Sequence, residues 1–295
     1  MSHPDYNSPS SLKLFLEDNN MGMQKKFGQN FMLNPDARKK IVENLELEKD
    51  MQVWEIGPGL GCITEELLNK EASVTVFEID RGFISLLHSF YENYEKQNKL
   101  KIIEGNCLKT WQPQFKVAPS TRLVGNLPYN IAATFIADTI THNVVFDKCV
   151  FTIQKEVAER MSAKPGTSNY SSFSVLCQWK YDLKIFQTLA PGNFWPRPNV
   201  SSSSILLTKK EQPLACDNPT LFVNLIHALF SSRRKTIKNN IKKILPPEIS
   251  DELLFKQSNI SPSARAEELS VEQLITLSQN LSSDIIKLDE SKKKA

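Results

Sequence analysis

The chain has 295 residues, 40 % of them hydrophobic and 23 % charged, with a formal net charge of +3. That length suits one large domain or two modest ones, and the composition is that of an ordinary soluble globular protein. No apolar run is long enough to cross a bilayer, and so small a net charge identifies no nucleic-acid partner by itself. The N-terminus lacks the apolar core of a signal peptide, and Glu17 and Asp18 argue against a transit peptide, so a cytoplasmic location is expected. Cys62, Cys107, Cys149, Cys177 and Cys216 are scattered and form no C-x-x-C. Reduced thiols are expected, with no disulfide framework, and the dispersed histidines suggest no metal site.

In chain order, residues 1–22 are polar with one amphipathic stretch, Leu12 to Leu16, and read as a peripheral helix or arm. Short apolar runs then begin: Met51–Ile56, Ser73–Phe77, Leu100–Ile103, Arg122–Gly125 and Cys149–Ile153 read as strands. Helical patterns such as Ile63–Asn69 and Ile131–Ile140 lie between them. Strands alternating with helices predict βαβ units and a mainly parallel sheet covered on both faces. Leu183–Leu189 and Ser204–Leu207, joined by the proline-rich stretch Pro191–Pro198, read as an antiparallel edge. Beyond Lys210, Leu221, Leu225, Ile226 and Leu229 recur at helical spacing, and short helices follow with breaks at Pro246-Pro247 and Pro262. The expected divisions are an arm at 1–22, an α/β domain at 23–208, a helical domain at 209–285 and a disordered tail at 286–295.

Two segments carry chemistry. Trp54-Glu-Ile-Gly57-Pro-Gly59-Leu-Gly61 follows the first strand and opens a helix. Its glycines let the backbone turn tightly and approach a ligand. Glu78, ending the second strand, can accept both ribose hydroxyls of a nucleoside lying over the loop. A dinucleotide stays possible on these features alone. The G-x-G-x-x-G spacing that places pyrophosphate at a helix N-terminus is missing, however, which favours a cofactor without phosphates, S-adenosylmethionine. Asn126-Leu-Pro-Tyr129 follows the fourth strand, at the sheet edge where open α/β folds bind ligands. The Asn126 amide oxygen and a main-chain carbonyl, that of Leu127, can accept the two N–H bonds of an adenine amine, and Tyr129 offers a face for stacking. As a structural turn with a core tyrosine, the same tetrapeptide would be unremarked. A third segment, Ser231–Leu245, holds Arg233, Arg234, Lys235, Lys238, Lys242 and Lys243 without an acid. On a helix these would spread over a broad phosphate-binding face, the plain alternative being a solvated helix.

Phe27-Gly-Gln-Asn-Phe31, Glu55–Gly61, Asn126-Leu-Pro-Tyr-Asn130, Gln154-Lys-Glu-Val-Ala158, Arg233-Arg-Lys-Thr236 and Ala264–Leu269 resemble the KsgA-type ribosomal RNA adenine dimethyltransferases, from about residue 24 to about 275. The resemblance implies a Rossmann-like class I methyltransferase domain with a small all-helical C-terminal domain. It implies dimethylation of two adjacent adenosines in the 3′-terminal hairpin of 16S rRNA, in a 30S assembly intermediate, by a monomer. By position it implies that Asn30, Met32, Gly57, Gly59, Glu78, Asn106 and Asn126 line the cofactor site, and that Phe194 stacks on the target base opposite Tyr129. Met32 stands where the family usually has Leu, and Asn106 where it usually has Asp. The Asn106 oxygen is expected to accept from the cofactor's adenine amine as an Asp would, without charge. Two other readings share the fold: an Erm-type 23S rRNA methylase, against which the Arg-Arg-Lys-Thr segment and long C-terminal part argue, and a non-catalytic RNA-binding or assembly factor, against which Glu78, Asn126 and Tyr129 argue.

Overall fold

The computed structural model describes residues 3–22, 30–127 and 129–294, without the side chains of residues 129, 130, 293 and 294. Phe27 to Gln29 of the first family motif, Pro128 and the Tyr129 ring thus lie outside the described residues.

The arm forms α1 (Pro9–Asp18), capped by the Ser8 side chain with Pro9 at its start. Leu12 and Leu16, one turn apart, form its buried face. The short strand β1 (Phe31–Met32) and α2 (Pro35–Glu43) follow. Strand and helix then alternate through β2 (Gln52–Ile56), α3 (Cys62–Asn69), β3 (Ser73–Glu78), α4 (Arg81–Lys96), β4 (Leu100–Glu104), α5 (Cys107–Val117), β5 (Arg122–Asn126), α6 (Tyr129–Thr141), β6 (Lys148–Gln154) and α7 (Lys155–Met161). Next come α8 (Ser172–Lys180), β7 (Tyr181–Leu189), β8 (Phe194–Trp195) and β9 (Ser202–Lys209), then α9 (Pro219–Phe230), α10 (Ile237–Ile241), α11 (Asp251–Gln257) and α12 (Val271–Lys294).

The main sheet runs β4-β3-β2-β5-β6-β9-β7. Pairs among β2 to β6 are parallel, and β9 runs antiparallel to β6. The central strand β2 is buried at four consecutive residues, Val53 to Ile56, as a strand covered on both faces must be. The crossover reversal between β2–β3 and β2–β5 brings the ends of β2, β3, β4 and β5 to one carboxyl edge.

The chain divides into two compact units: Met1–Phe135 with Val145–Ala158 and Lys184–Lys209, and Ile136–Val144 with Glu159–Leu183 and Lys210–Ala295. In the second unit, α9 buries Phe222, Leu225, Ile226 and Leu229 along one helical stripe. The Trp179 ring of α8 meets Phe222 edge-on at 4.7 Å, and its indole N–H donates to the Leu214 carbonyl at 3.1 Å. The C-terminal stretch departs from expectation. α12 continues through 286 to Lys294. Buried Leu274, Leu277 and Leu281 anchor its first turns, and the exposed pairs Lys287–Asp284 (3.3 Å) and Lys292–Glu248 (2.8 Å) line its polar end.

Candidate active site

Gly57, Gly59 and Gly61 adopt φ of +69°, +56° and +88°, the left-handed region that side-chain-bearing residues enter at a cost. A Cβ at Gly57 would meet nothing nearer than Leu127 Cδ2 at 3.8 Å, so the loop's outer face is open to a ligand. Two buried tyrosine hydroxyls hold the loop from behind. Tyr6 of the arm donates to the Leu60 carbonyl at 2.8 Å, and Tyr91 of α4 to the Gly61 carbonyl at 2.9 Å.

Glu78 ends β3 and is only 6 % exposed. Its Oε2 accepts from Gly59 N at 3.0 Å, and its Oε1 from Ile79 N and Asp80 N at 2.8 and 2.9 Å. The carboxylate thus fixes the glycine loop as well as facing it. Burial raises its pKa above the ordinary carboxylate value, opposed by the three amides. These three hydrogen bonds use three of about four acceptor positions and leave one lone pair on Oε2, enough for one hydroxyl where the sequence reading allowed two.

Glu55, the first residue of the glycine motif, points the other way, into the core. Burial pushes its carboxyl up to about 8, while the Thr64 hydroxyl, donating at 2.6 Å, pulls it down and Glu78 raises it further. Since the folded value lies above the ordinary 4.5, folding takes up a proton. The stability this group contributes is complete below about 4.5 and is lost as pH rises through about 8. Glu55→Gln keeps an acceptor for Thr64 and removes the titration. Urea midpoints should therefore fall between about pH 5 and about pH 8 in the wild type and much less in the variant. Parallel curves would mean that Glu55 is not protonated in the folded chain.

Asn126 closes β5 on the same sheet edge. Its Nδ2 donates to the Asn30 carbonyl at 2.8 Å. A carbonyl only accepts, so the amide nitrogen must face Asn30 and Oδ1 is turned elsewhere. Leu127 N donates to Thr152 O at 3.1 Å. Asn106 caps α5, its Oδ1 accepting from Leu108 N at 3.0 Å. Gly105 N donates to Glu78 O at 2.7 Å, which holds the head of α5 beside the acidic residue. Met32 is fully buried in the core, and its carbonyl takes a 2.8 Å bond from Arg38. Glu78, Asn106, Asn126, Leu127 and the glycines are thus carried by neighbouring ends of β2 to β5.

Phe194 does not fit its expected place. β8 pairs with β1, with Met32 opposite Phe194 and Phe31 opposite Trp195. Strand alternation turns Phe194 into the core cluster, where it is 3 % exposed, and leaves Trp195 half-buried, stacked on Phe31 at 6.2 Å. A ring so enclosed has no open face for a base.

The basic segment also differs from expectation. It is not one helix: Arg233–Lys235 lie in a turn, and α10 spans only Ile237–Ile241. The buried Asn240 amide donates to Leu229 O and Ser232 O at 2.7 and 3.0 Å and pins that turn. Acids distant in sequence neutralise part of the charge. Arg233 pairs with Glu267 at 2.7 Å, and Lys238 lies 3.9 and 3.6 Å from Asp251 and Glu252. Arg234, Lys235 and Lys242 are exposed and make no ion pair among the described residues.

Three further residues lie near these groups without a role assigned to them from the sequence. Ile79 is 43 % exposed directly after Glu78, an apolar side chain left open at the end of β3. Gly125 leaves room for the turn after β5, since a Cβ there would come within 2.9 Å of Leu127 Cγ and 3.1 Å of Ile56 O. Phe31 lies against Gly59, where a Cβ would meet its ring at 3.1 Å. A glycine one residue before the end of a buried strand is the faint signal for Gly125.

A sheet parallel from β2 to β6 with β9 reversed beside it, a glycine loop after its first long strand and a carboxylate after the next define a class I methyltransferase fold. A family model described as "Ribosomal RNA adenine dimethylase" matches residues 20–283. The chain is 44 % identical over 282 residues to the ribosomal RNA small subunit methyltransferase A of Treponema denticola, covering 94 % of this chain and 96 % of that one. It is 35 % identical over 277 residues to that of Borreliella burgdorferi, covering 94 % and 95 %. A dimethyladenosine transferase from Plasmodium falciparum superposes with a TM-score of 0.72 at 26 % identity, over 85 % of this chain and 97 % of that one. The 23S rRNA methyltransferase ErmE shares the fold, with a TM-score of 0.61 at 20 % identity over 85 % and 99 %. The chain belongs to the ribosomal RNA adenine dimethylase family, enzymes that use S-adenosylmethionine.

Proposed function

We propose that this enzyme dimethylates the N6 amines of two adjacent adenosines in the 3′-terminal hairpin of 16S rRNA, acting as a cytoplasmic monomer on a 30S assembly intermediate. The observation that carries the proposal is the tethered Asn126 amide, whose nitrogen is held by Asn30 and whose oxygen is left to accept from an amine. In this reading Glu78 holds the ribose, the open backbone at Gly57 receives the methionine portion beside Gly59, and Asn30 forms the adjoining wall with the buried Met32 behind it. S-adenosylmethionine, when bound, supplies an electrophilic sulfonium methyl. Asn126 Oδ1 and the Leu127 carbonyl accept the two amine N–H bonds and bring the nitrogen lone pair into line. Both acceptors are neutral, so the proton released on alkylation leaves to solvent. Tyr129 is assigned to stacking on the base, while Phe194 supports the pocket by packing on Met32. In the second methylation only one N–H remains for Asn126.

Labelled S-adenosylmethionine offered with unmethylated small subunits, large subunits and naked RNA tests the assignment. Label should enter small subunits, and mass spectrometry of the hairpin should find mainly dimethyladenosine. Label in large subunits points to the Erm-type activity, and no label anywhere to a non-catalytic factor. A product stopping at monomethyladenine overturns the dimethylase reading.

The helical part, residues 209–285, is assigned to rRNA through Arg233, Arg234, Lys235, Lys238 and Lys242. Ion pairing concentrates the effect in three of them. Neutralising Arg234, Lys235 and Lys242 together should lower the log–log salt slope of subunit binding by roughly one for each phosphate no longer neutralised. Neutralising Arg233 and Lys238 should change it less, and cofactor binding should survive both. Equal slopes in all three proteins would make the segment ordinary solvated surface.

A further inference from the structure

Asn106 stands at the head of α5, its Oδ1 turned toward the helix, where it accepts from Leu108 N at 3.0 Å. A backbone N–H can only donate, so this partner fixes which end of the amide is oxygen. In a planar amide the NH2 group then points away from the helix, as the free edge of the side chain. A carboxylate in the same pose would cap the helix with one oxygen and present a second acceptor. Asn106 presents a donor instead. It does so at the head of α5, where the preceding Gly105 N donates to the Glu78 carbonyl at 2.7 Å, one residue before the exposed Ile79. An adenine carries both polarities on its edge: an exocyclic amine that donates and ring nitrogens that accept. A donor facing the amine would leave two desolvated N–H groups without partners.

We propose that Asn106 is a specificity-determining residue that reads the cofactor's base through a ring-nitrogen acceptor and takes no part in recognising the exocyclic amine. This rests on the proposed function and on the resemblance, which puts Asn106 in the cofactor site beside the base, and replaces the expectation that the Asn106 oxygen accepts from that amine. The base is thereby recognised by where it accepts, and a 6-substituent that does not donate is tolerated.

The test is calorimetry on the full chain with two probes: S-adenosylhomocysteine and its analogue lacking only the 6-amino group. Wild type, Asn106→Asp and Asn106→Ala are compared. Asp caps a helix as well as Asn does, so the first variant keeps α5 capped. The wild type should bind the two probes within about threefold of each other. Asn106→Asp should bind S-adenosylhomocysteine about tenfold more tightly than the amine-free analogue, because it gains a charged acceptor for the amine. A wild type that loses tenfold when the amine is removed, with no larger loss in Asn106→Asp, overturns the proposal while leaving the cofactor site in place. If both variants bind both probes as the wild type does, Asn106 does not touch the base, and its placement in the cofactor site falls with the proposal.

Discussion

An Asn126→Ala enzyme should bind small subunits normally and transfer methyl groups about 10²–10³ times more slowly, the range in which a single preorganised polar contact to a reacting group falls. The substitution removes the Oδ1 acceptor proposed to orient the amine, together with the 2.8 Å tether to the Asn30 carbonyl. It leaves the glycine loop, Glu78 and the basic segment untouched. Asn126→Asp separates the two losses. It restores an acceptor but sets a carboxylate oxygen against the Asn30 carbonyl, so it should recover part of the rate while weakening the tether. Single-turnover measurements on saturated subunits read the chemical step directly. Normal turnover in Asn126→Ala would remove this side chain from the mechanism.

Glu78→Ala is expected to weaken cofactor binding by about 100-fold. Hydrogen bonds to a charged group contribute roughly 1.5–3 kcal/mol each, and about 1.4 kcal/mol is tenfold. Two losses combine here: the ribose acceptor, and the 3.0 Å bond that positions Gly59. Glu78→Gln offers one oxygen to three amides that now hold two, so it should fall between wild type and Ala. Burial raises the Glu78 pKa, so wild-type affinity should decline as pH falls through a value above the ordinary carboxylate range. The Gln variant should show no such decline. Calorimetry at several pH values decides it, and unchanged affinity in Glu78→Ala would take the carboxylate out of the site.

Much of the α/β unit was legible in the sequence because its signals are local. Buried strands declare themselves as apolar runs, as Val53 to Ile56 do, and the glycines at φ of +69°, +56° and +88° occupy positions that only a glycine fills cheaply. Glu78 and Asn126 could be singled out for the same reason: each follows a strand, and a parallel sheet delivers strand ends to one edge. Other features depend on partners far away in the chain. Phe194 looks like a loop aromatic until β8 pairs with β1, and pleating then sends it inward. The charge of Arg233 and Lys238 cannot be judged without Glu267, Asp251 and Glu252, which lie 34, 13 and 14 positions on and are brought back by the fold of the helical unit.

By itself, the sequence determined the class of fold, the cofactor loop, the acidic residue after β3 and the family, since each is written in residue type and spacing. Only the tertiary structure decided which way each amide is turned. Asn106 and Asn126 carry the same side chain, yet Leu108 N takes the oxygen of one and Asn30 O takes the nitrogen of the other. An amide is donor and acceptor in one group, and the backbone partner at one end leaves the opposite polarity at the other.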